Sequence, residues 1–205
     1  MQPMRSFPSL TMGCLALACA TLAADPAVTP TPGTERPMKS ARELIHQQAP
    51  PIVASDLLEK TTSDNSRLVL NLATQRACLM LGEQVCIDSP MSSGKRTGPT
   101  PTGKFAILEK EKDHRSSTYG NFVDRNGRVV RSGISMKVDS APSGTHYVGT
   151  PMKYFCRLTE SGLGIHAGSL PGYPSSHGGI RLPEDMAKLF FARVKVGTPV
   201  EIRAE

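Results

Sequence analysis

Hydrophobic positions along the chain are grouped in short runs with period two, separated by Gly, Pro and Asn. Leu68-Val69-Leu70-Asn71-Leu72 and Ala77-Cys78-Leu79-Met80-Leu81 read as strands, and Val85-Cys86-Ile87 follows a Gly-containing turn. Thr97 to Gly103 is a rigid, turn-rich loop leading to a strand at Lys104-Phe105-Ala106-Ile107-Leu108. Asn126-Gly127 marks a hairpin between Phe122-Val123 and Val129-Val130. Pro142-Ser143-Gly144 and Gly149-Thr150-Pro151 predict further turns, and Tyr154 to Leu158 a strand running toward Gly162–His166. A helical period comes only late. Pro183 suits a first helical position, Glu184 and Asp185 favour the helix start electrostatically, and Met186, Leu189, Phe190 and Val194 form one apolar stripe. Gly197-Thr198-Pro199 stops it before a closing strand, Val200-Glu201-Ile202. The expected fold class is mostly β (β-rich α+β), with one clear helix late in the chain.

The N-terminal part has a different pattern. Arg5 precedes an apolar run from Leu10 to Leu22, and small residues at Ala23 and Ala24 offer a cleavage site before Asp25. Residues 1–24 therefore read as an export signal, too short for a membrane span. Cys19 is a minority alternative as a lipidation site, because no leucine stands three residues before it. Residues 25–62 read as a Pro/Thr-rich linker with a short helical segment at residues 41–46, and residues 63–205 as the folded domain.

Composition narrows the function. The 205 residues contain no Trp and 5% aromatics, which argues against stacking on bases or sugar rings. The formal charge of +6 is scattered, as on a solvated basic surface, with attraction to an anionic polymer such as cell wall as the sharper reading. No nucleic-acid motif is present. Past the export signal, three cysteines remain in an exported chain: Cys78, Cys86 and Cys156. If Leu81-Gly82-Glu83 is the hairpin loop, Cys78 faces Cys86 and a cross-strand disulfide is one expectation, two separate thiols the other.

Chemistry concentrates in Gly164-Ile165-His166-Ala167-Gly168 and Ser176-His177-Gly178-Gly179-Ile180-Arg181-Leu182. With Thr100-Pro101-Thr102-Gly103-Lys104-Phe105 and Gly197-Thr198-Pro199-Val200, these segments resemble, in order and spacing, the YkuD-type L,D-transpeptidases. That resemblance implies a β-sandwich-like catalytic domain, a cell-envelope or periplasmic location and action on peptidoglycan stem peptides. It implies no cofactor and no metal. In the family a Ser/Thr-His-Gly-Cys segment supplies a thiolate that attacks an L,D-peptide carbonyl. Carried over by position, His166 is the general base. Ser176, His177 and Gly178 shape the turn and the oxyanion site, and Arg181 helps hold the donor peptide. Position 179 is Gly, which keeps a backbone N–H but offers no nucleophile. Two functions follow: a nucleophile-less homologue that binds stem peptides, or an L,D-transpeptidase or L,D-hydrolase with altered nucleophile chemistry. Cys156 as a substitute thiol, and zinc on His166, His177 and Cys156, are weaker readings, since none of these spacings is a zinc signature. Oligomeric state is not encoded in any of these patterns.

Overall fold

The computed structural model describes residues 48–205. The export signal, the possible lipidation site at Cys19 and the helical segment at residues 41–46 lie outside them. The chain order is β1 (Ile52–Val53), α1 (Ser55–Lys60), β2 (Ser66–Asn71), β3 (Arg76–Leu81), β4 (Gln84–Pro90), β5 (Gly103–Ala106), β6 (Glu109–Asp124), β7 (Val129–Ser135), β8 (Thr145–Arg157), β9 (Gly164–Ala167), β10 (Ile180–Leu182), α2 (Glu184–Arg193) and β11 (Pro199–Arg203). The fold is mostly β, as the period-two runs predict. Helix α1 is an addition: its apolar positions are too few to give a helical period, and it forms by laying Leu58 into the core.

Six strands make one sheet in the order β1-β4-β3-β2-β11-β5, and five make a second in the order β10-β9-β8-β6-β7. In β2, Leu68 and Leu70 alternate inward. The closing strand β11 lies parallel to β2 with Val200 opposite Leu68 and Ile202 opposite Leu70. The last strand is thus inserted beside β2 within the first sheet. One apolar core unites Leu68, Leu79 and Ile87 of this sheet with Ile165, Ile180 and Leu182 of the second, and α2 adds Met186, Ala187 and Phe190.

Two expectations of pairing are corrected. The β3–β4 loop is the two-residue Gly82-Glu83, with Leu81 opposite Gln84, and a register shift follows between Leu79 and Met80. Cys86 takes up that extra residue, so Asp88 rather than Cys86 stands opposite Cys78. The three cysteines among the described residues, Cys78, Cys86 and Cys156, are free thiols. Cys86 is buried with its sulfur 3.1 Å from Thr61 Oγ1, whereas Cys78 is half-buried near Asp88. A bulge is invisible to a count of alternating positions, because it changes pairing without changing residue type. Likewise Gly149-Thr150-Pro151 is no turn but the interior of the 13-residue strand β8. It lies opposite a swelling in β6, where Arg115 pairs with Pro151 while the next pair is Gly120 with Gly149. The Asn126-Gly127 hairpin forms as expected, with Val123 opposite Val129.

Candidate functional site

Strand β9 carries His166 between β10 and β8 of the second sheet. Parallel pairing to β10 sets Ile180 against Ile165 and Arg181 against His166. Residues opposite each other in a ladder share a face, and neighbours in a strand alternate. Ile165 and Ile180 therefore point into the core, while His166 and Arg181 point to the other side. Strand β8 sets Cys156 against Ile165, which puts its thiol on the core face, away from His166. Burial pushes that thiol up to about 12. Cys156 is an inert core residue, and the trio of Cys156, His166 and His177 is not assembled around a common centre.

The imidazole of His166 is 8% exposed. Its Nδ1 lies 2.8 Å from the carbonyl oxygen of Ala167, so Nδ1 is the protonated nitrogen and Nε2 presents its lone pair. Burial lowers its pKa to about 4, with the positive fields of Arg181 and His114 acting in the same direction and the Ala167 carbonyl opposing them. The side chain is a neutral base at physiological pH. A histidine that titrates near 6.5 when unfolded and near 4 when folded binds fewer protons in the native state between those values. Its contribution to stability is complete above pH 6.5 and is lost progressively as the pH falls toward 4. At 1.36 kcal/mol per pH unit, the full effect is about 3 kcal/mol. Urea unfolding at pH 7 and pH 5 is expected to show this loss, and a His166→Phe protein is expected to lose less stability over the same interval.

The second segment folds into a braced loop. Gly178 has φ of +119°, a conformation that side-chain-bearing residues avoid. Ser176 is 2% exposed; its Oγ accepts the Gly178 N–H at 3.1 Å and donates to the Gly179 carbonyl. Its hydroxyl is thus committed to the turn, which removes Ser176 as a nucleophile. Thr100 Oγ1 donates to the Gly178 carbonyl at 2.6 Å and accepts the Gly94 N–H at 2.8 Å, tying the loop to residues 94–100. His177 is exposed, stacks on Tyr119 with ring centroids 4.3 Å apart, and has Lys95 Nζ 3.2 Å from its Nε2. Burial, Lys95 and Arg181 all lower its pKa.

Gly179 follows this loop at the mouth of β10. A Cβ placed on it would lie 3.4 Å from His166 Nε2 and 3.4 Å from the Gly164 carbonyl oxygen, both ordinary contacts. Its φ is not in the left-handed range, so the backbone accepts an L side chain there. Among the described residues, no protein acceptor takes the backbone N–H of Gly179 or of His177. Arg181, half-buried beside His166, donates to Ser175 Oγ at 3.1 Å and has no carboxylate partner among the described residues. Burial without a counter-ion lowers its pKa.

These groups line a cleft of about 680 Å³ whose walls, among the described residues, include no Asp or Glu. Its far wall is the swelling of β6, Ser116 to Tyr119, held by Ser116 Oγ accepting the Tyr119 N–H and by Tyr147 OH donating to the Ser116 carbonyl. Tyr119 and His114 are site residues that sequence patterning misses. His114 stacks on the buried Phe155 ring at 4.2 Å and bonds Glu111 through Nδ1. Neither lies in a motif, and only the strand swelling and the β6–β8 pairing bring them to His166 and His177.

Residues 65–202 match the family model for the YkuD L,D-transpeptidase catalytic domain. The chain belongs to this family. A curated relative, L,D-transpeptidase 1 of Mycobacterium tuberculosis, is 33% identical over 118 residues, which is 55% of this chain and 40% of that protein. The YkuD chain thus matches well under half the length of that relative. A solved L,D-transpeptidase from Mycobacterium smegmatis superposes with a TM-score of 0.51 at 22% identity, covering 68% of this chain and 59% of that one. An L,D-transpeptidase solved in complex with imipenem gives the same TM-score and coverages at 24% identity. These two likenesses establish the shared fold. Within this YkuD domain, His166 and the Ser176–Gly179 loop stand side by side, and the fourth position of the loop carries no side chain.

Proposed function

We propose that this protein is an exported cell-envelope member of the family that binds peptidoglycan stem peptides in the β9–β10 cleft without forming a thioester at position 179. The observation that carries the reading is the meeting of His166 Nε2 with the bare Cα of Gly179 in an otherwise braced site. The base is neutral, the loop is locked, and two N–H groups are free to receive a carbonyl oxygen. The attacking sulfur alone is missing, and Cys156 cannot replace it. Stem peptides carry carboxylates, and a cleft that among the described residues has no Asp or Glu in its walls and leaves the Arg181 guanidinium without a carboxylate partner suits them. Export rests on the Arg5 and Leu10–Leu22 pattern, with cleavage before Asp25 and lipidation of Cys19 as the lesser alternative.

Calorimetric titration of the protein with a disaccharide-tetrapeptide tests the reading. Saturable one-to-one binding is expected, weakened at least about tenfold in Arg181→Ala, since a hydrogen bond to a charged group contributes about 1.5–3 kcal/mol. No adduct on the protein is expected by mass spectrometry. Absence of binding, or a peptide found covalently attached to wild type, would overturn it.

A further inference from the structure

The β6–β7 hairpin and the turn after it carry an exposed apolar face outside the His166 site. Val129, Val130, Met136 and Val138 are 56%, 53%, 46% and 84% exposed, and none of them belongs to the core that joins the two sheets. Exposed apolar side chains scattered singly are ordinary, but a cluster on one hairpin marks a contact surface. The local pairing accounts for it. Val123 stands opposite Val129 and Phe122 opposite Arg131, so Val130 is an extra residue that breaks the alternation along β7. Strand β7 is also the edge of the second sheet.

Around these side chains the charge presented to solvent has one sign. Arg125, Arg128, Arg131 and Lys137 are all exposed. The two acids of the segment are tucked beneath arginines. Asp124 is 19% exposed and bound to Arg128, and Asp139 is 17% exposed and bound to Arg131, while those two arginine side chains stay 79% and 54% exposed. Four cations against two acids leave residues 124–139 with a net charge of +2. Apolar side chains interleaved with arginine and lysine suit a surface that lies on anionic lipid. The apolar groups enter the headgroup boundary, and the cations meet the phosphates.

We propose that this hairpin docks the protein on an anionic phospholipid bilayer. Val129, Val130, Met136 and Val138 enter the interfacial layer, and Arg125, Arg128, Arg131 and Lys137 face the lipid phosphates. A second copy of the chain is a poorer occupant, since a two-fold pairing sets the same arginines against each other. A soluble polyanion leaves the apolar side chains in water. Gly133 and Lys137 also line the cleft, so docking holds its mouth beside the headgroups. Docking is independent of peptide binding at His166.

The chain has no Trp, so a single introduced indole reports from one place. Val138→Trp in the full-length chain is titrated with vesicles of equal parts phosphatidylglycerol and phosphatidylcholine. Val196→Trp is the reference: Val196 is 60% exposed and lies beside the opposite end of β6, where the Gly197 N–H bonds the Ile107 carbonyl. The apolar run Leu10–Leu22 is present in both chains, so any vesicle binding through it leaves the difference between the two positions intact. Emission from Val138→Trp is expected to shift to the blue and to lose quenching by acrylamide, and that from Val196→Trp to stay unchanged. Vesicles of phosphatidylcholine alone, or about 1 M NaCl, which cuts the screening length to about 3 Å, are expected to remove most of the shift. In the Val138→Trp chain, Arg125→Glu is expected to weaken vesicle affinity at least about fivefold, the factor one basic residue contributes near an anionic surface. Val130→Ser is expected to weaken it at least about threefold. An unchanged Val138→Trp spectrum overturns the proposal, as does an equal shift in Val196→Trp, an equal response to phosphatidylcholine alone, or affinity unchanged in Arg125→Glu and Val130→Ser. A shift of the same size with soluble poly-glutamate overturns it in favour of a polyanion site. One that grows with protein concentration without lipid overturns it in favour of a second copy.

Discussion

Gly179→Cys is expected to convert a protein that takes no covalent label into one that is acylated by imipenem at one equivalent, read as a mass increase on the intact chain. The warrant is geometric. The new Cβ stands 3.4 Å from His166 Nε2 with no backbone rearrangement, so the thiol one bond further on is within reach of the imidazole. Because His166 is neutral and Nδ1 is pinned to Ala167, Nε2 is ready to accept the thiol proton. The N–H groups of His177 and Gly179 then receive the oxyanion. Removing a nucleophile from an assembled hydrolytic site costs on the order of 10⁶ in turnover, and reinstalling it should recover a large part of that factor in transfer of a stem peptide to an amine. A well-folded Gly179→Cys protein that stays unlabelled would show that this loop is not the nucleophile loop. Wild type labelled at Cys78 instead would point the same way.

A large effect on stability is expected at Gly164. A Cβ there would stand 2.2 and 2.6 Å from two carbons of the Phe155 ring and 2.8 Å from the Cys156 carbonyl oxygen. Phe155 is 1% exposed and backed by the stacked His114 ring, so it has nowhere to retreat. Overpacking of a rigid core costs about 1–3 kcal/mol and sometimes more, and contact with both a ring and main chain puts Gly164→Ala at about 3 kcal/mol or above. In a domain of this size that lowers the melting temperature by roughly 6–12 °C, taking about 2–4 °C per kcal/mol. Exposed ion pairs such as Lys153–Glu184 contribute at most about 1 kcal/mol each and cannot offset it. Phe155→Leu in the Gly164→Ala background is expected to return part of the loss, because the smaller side chain vacates the space. A Gly164→Ala protein as stable as wild type would mean that β9 and Phe155 are not packed as described.

The site was legible in sequence where chemistry depends on residue type and local spacing. His166, Ser176 through Gly179 and Arg181 are drawn together because β9 and β10 are short parallel neighbours whose register sets Arg181 beside His166. The late helix was legible for the same reason: Pro183, the acidic first turn and the apolar stripe are local signals, and α2 spans Glu184–Arg193. The Cys78–Cys86 pairing failed because the hairpin loop is two residues rather than three, which moves the partner by one, and the bulge then moves it by one more, to Asp88; the free energy of that bulge lies in burying Cys86 and Ile87. Helix α1, Tyr119 and His114 had no local signal at all.

The sequence by itself determined the β-rich class, the strands around Leu68–Leu72, Ala77–Leu81 and Val200–Ile202, the helix that follows Pro183 and the absence of a thiol at position 179. These depend on alternation, turn residues and atom type, which act within a few residues of chain. Only the tertiary structure decided which face each strand presents, and with it that Cys156 is core while His166 opens to the cleft. It alone decided that Ser176 is spent on bracing its loop and that His166 is a base kept neutral by burial. It also set His166 Nε2 and the Gly164 carbonyl at the same distance from an empty Cβ position. Those facts are differences of a few ångströms between residues far apart in the chain. They arise when two sheets close on one core and desolvate the groups between them.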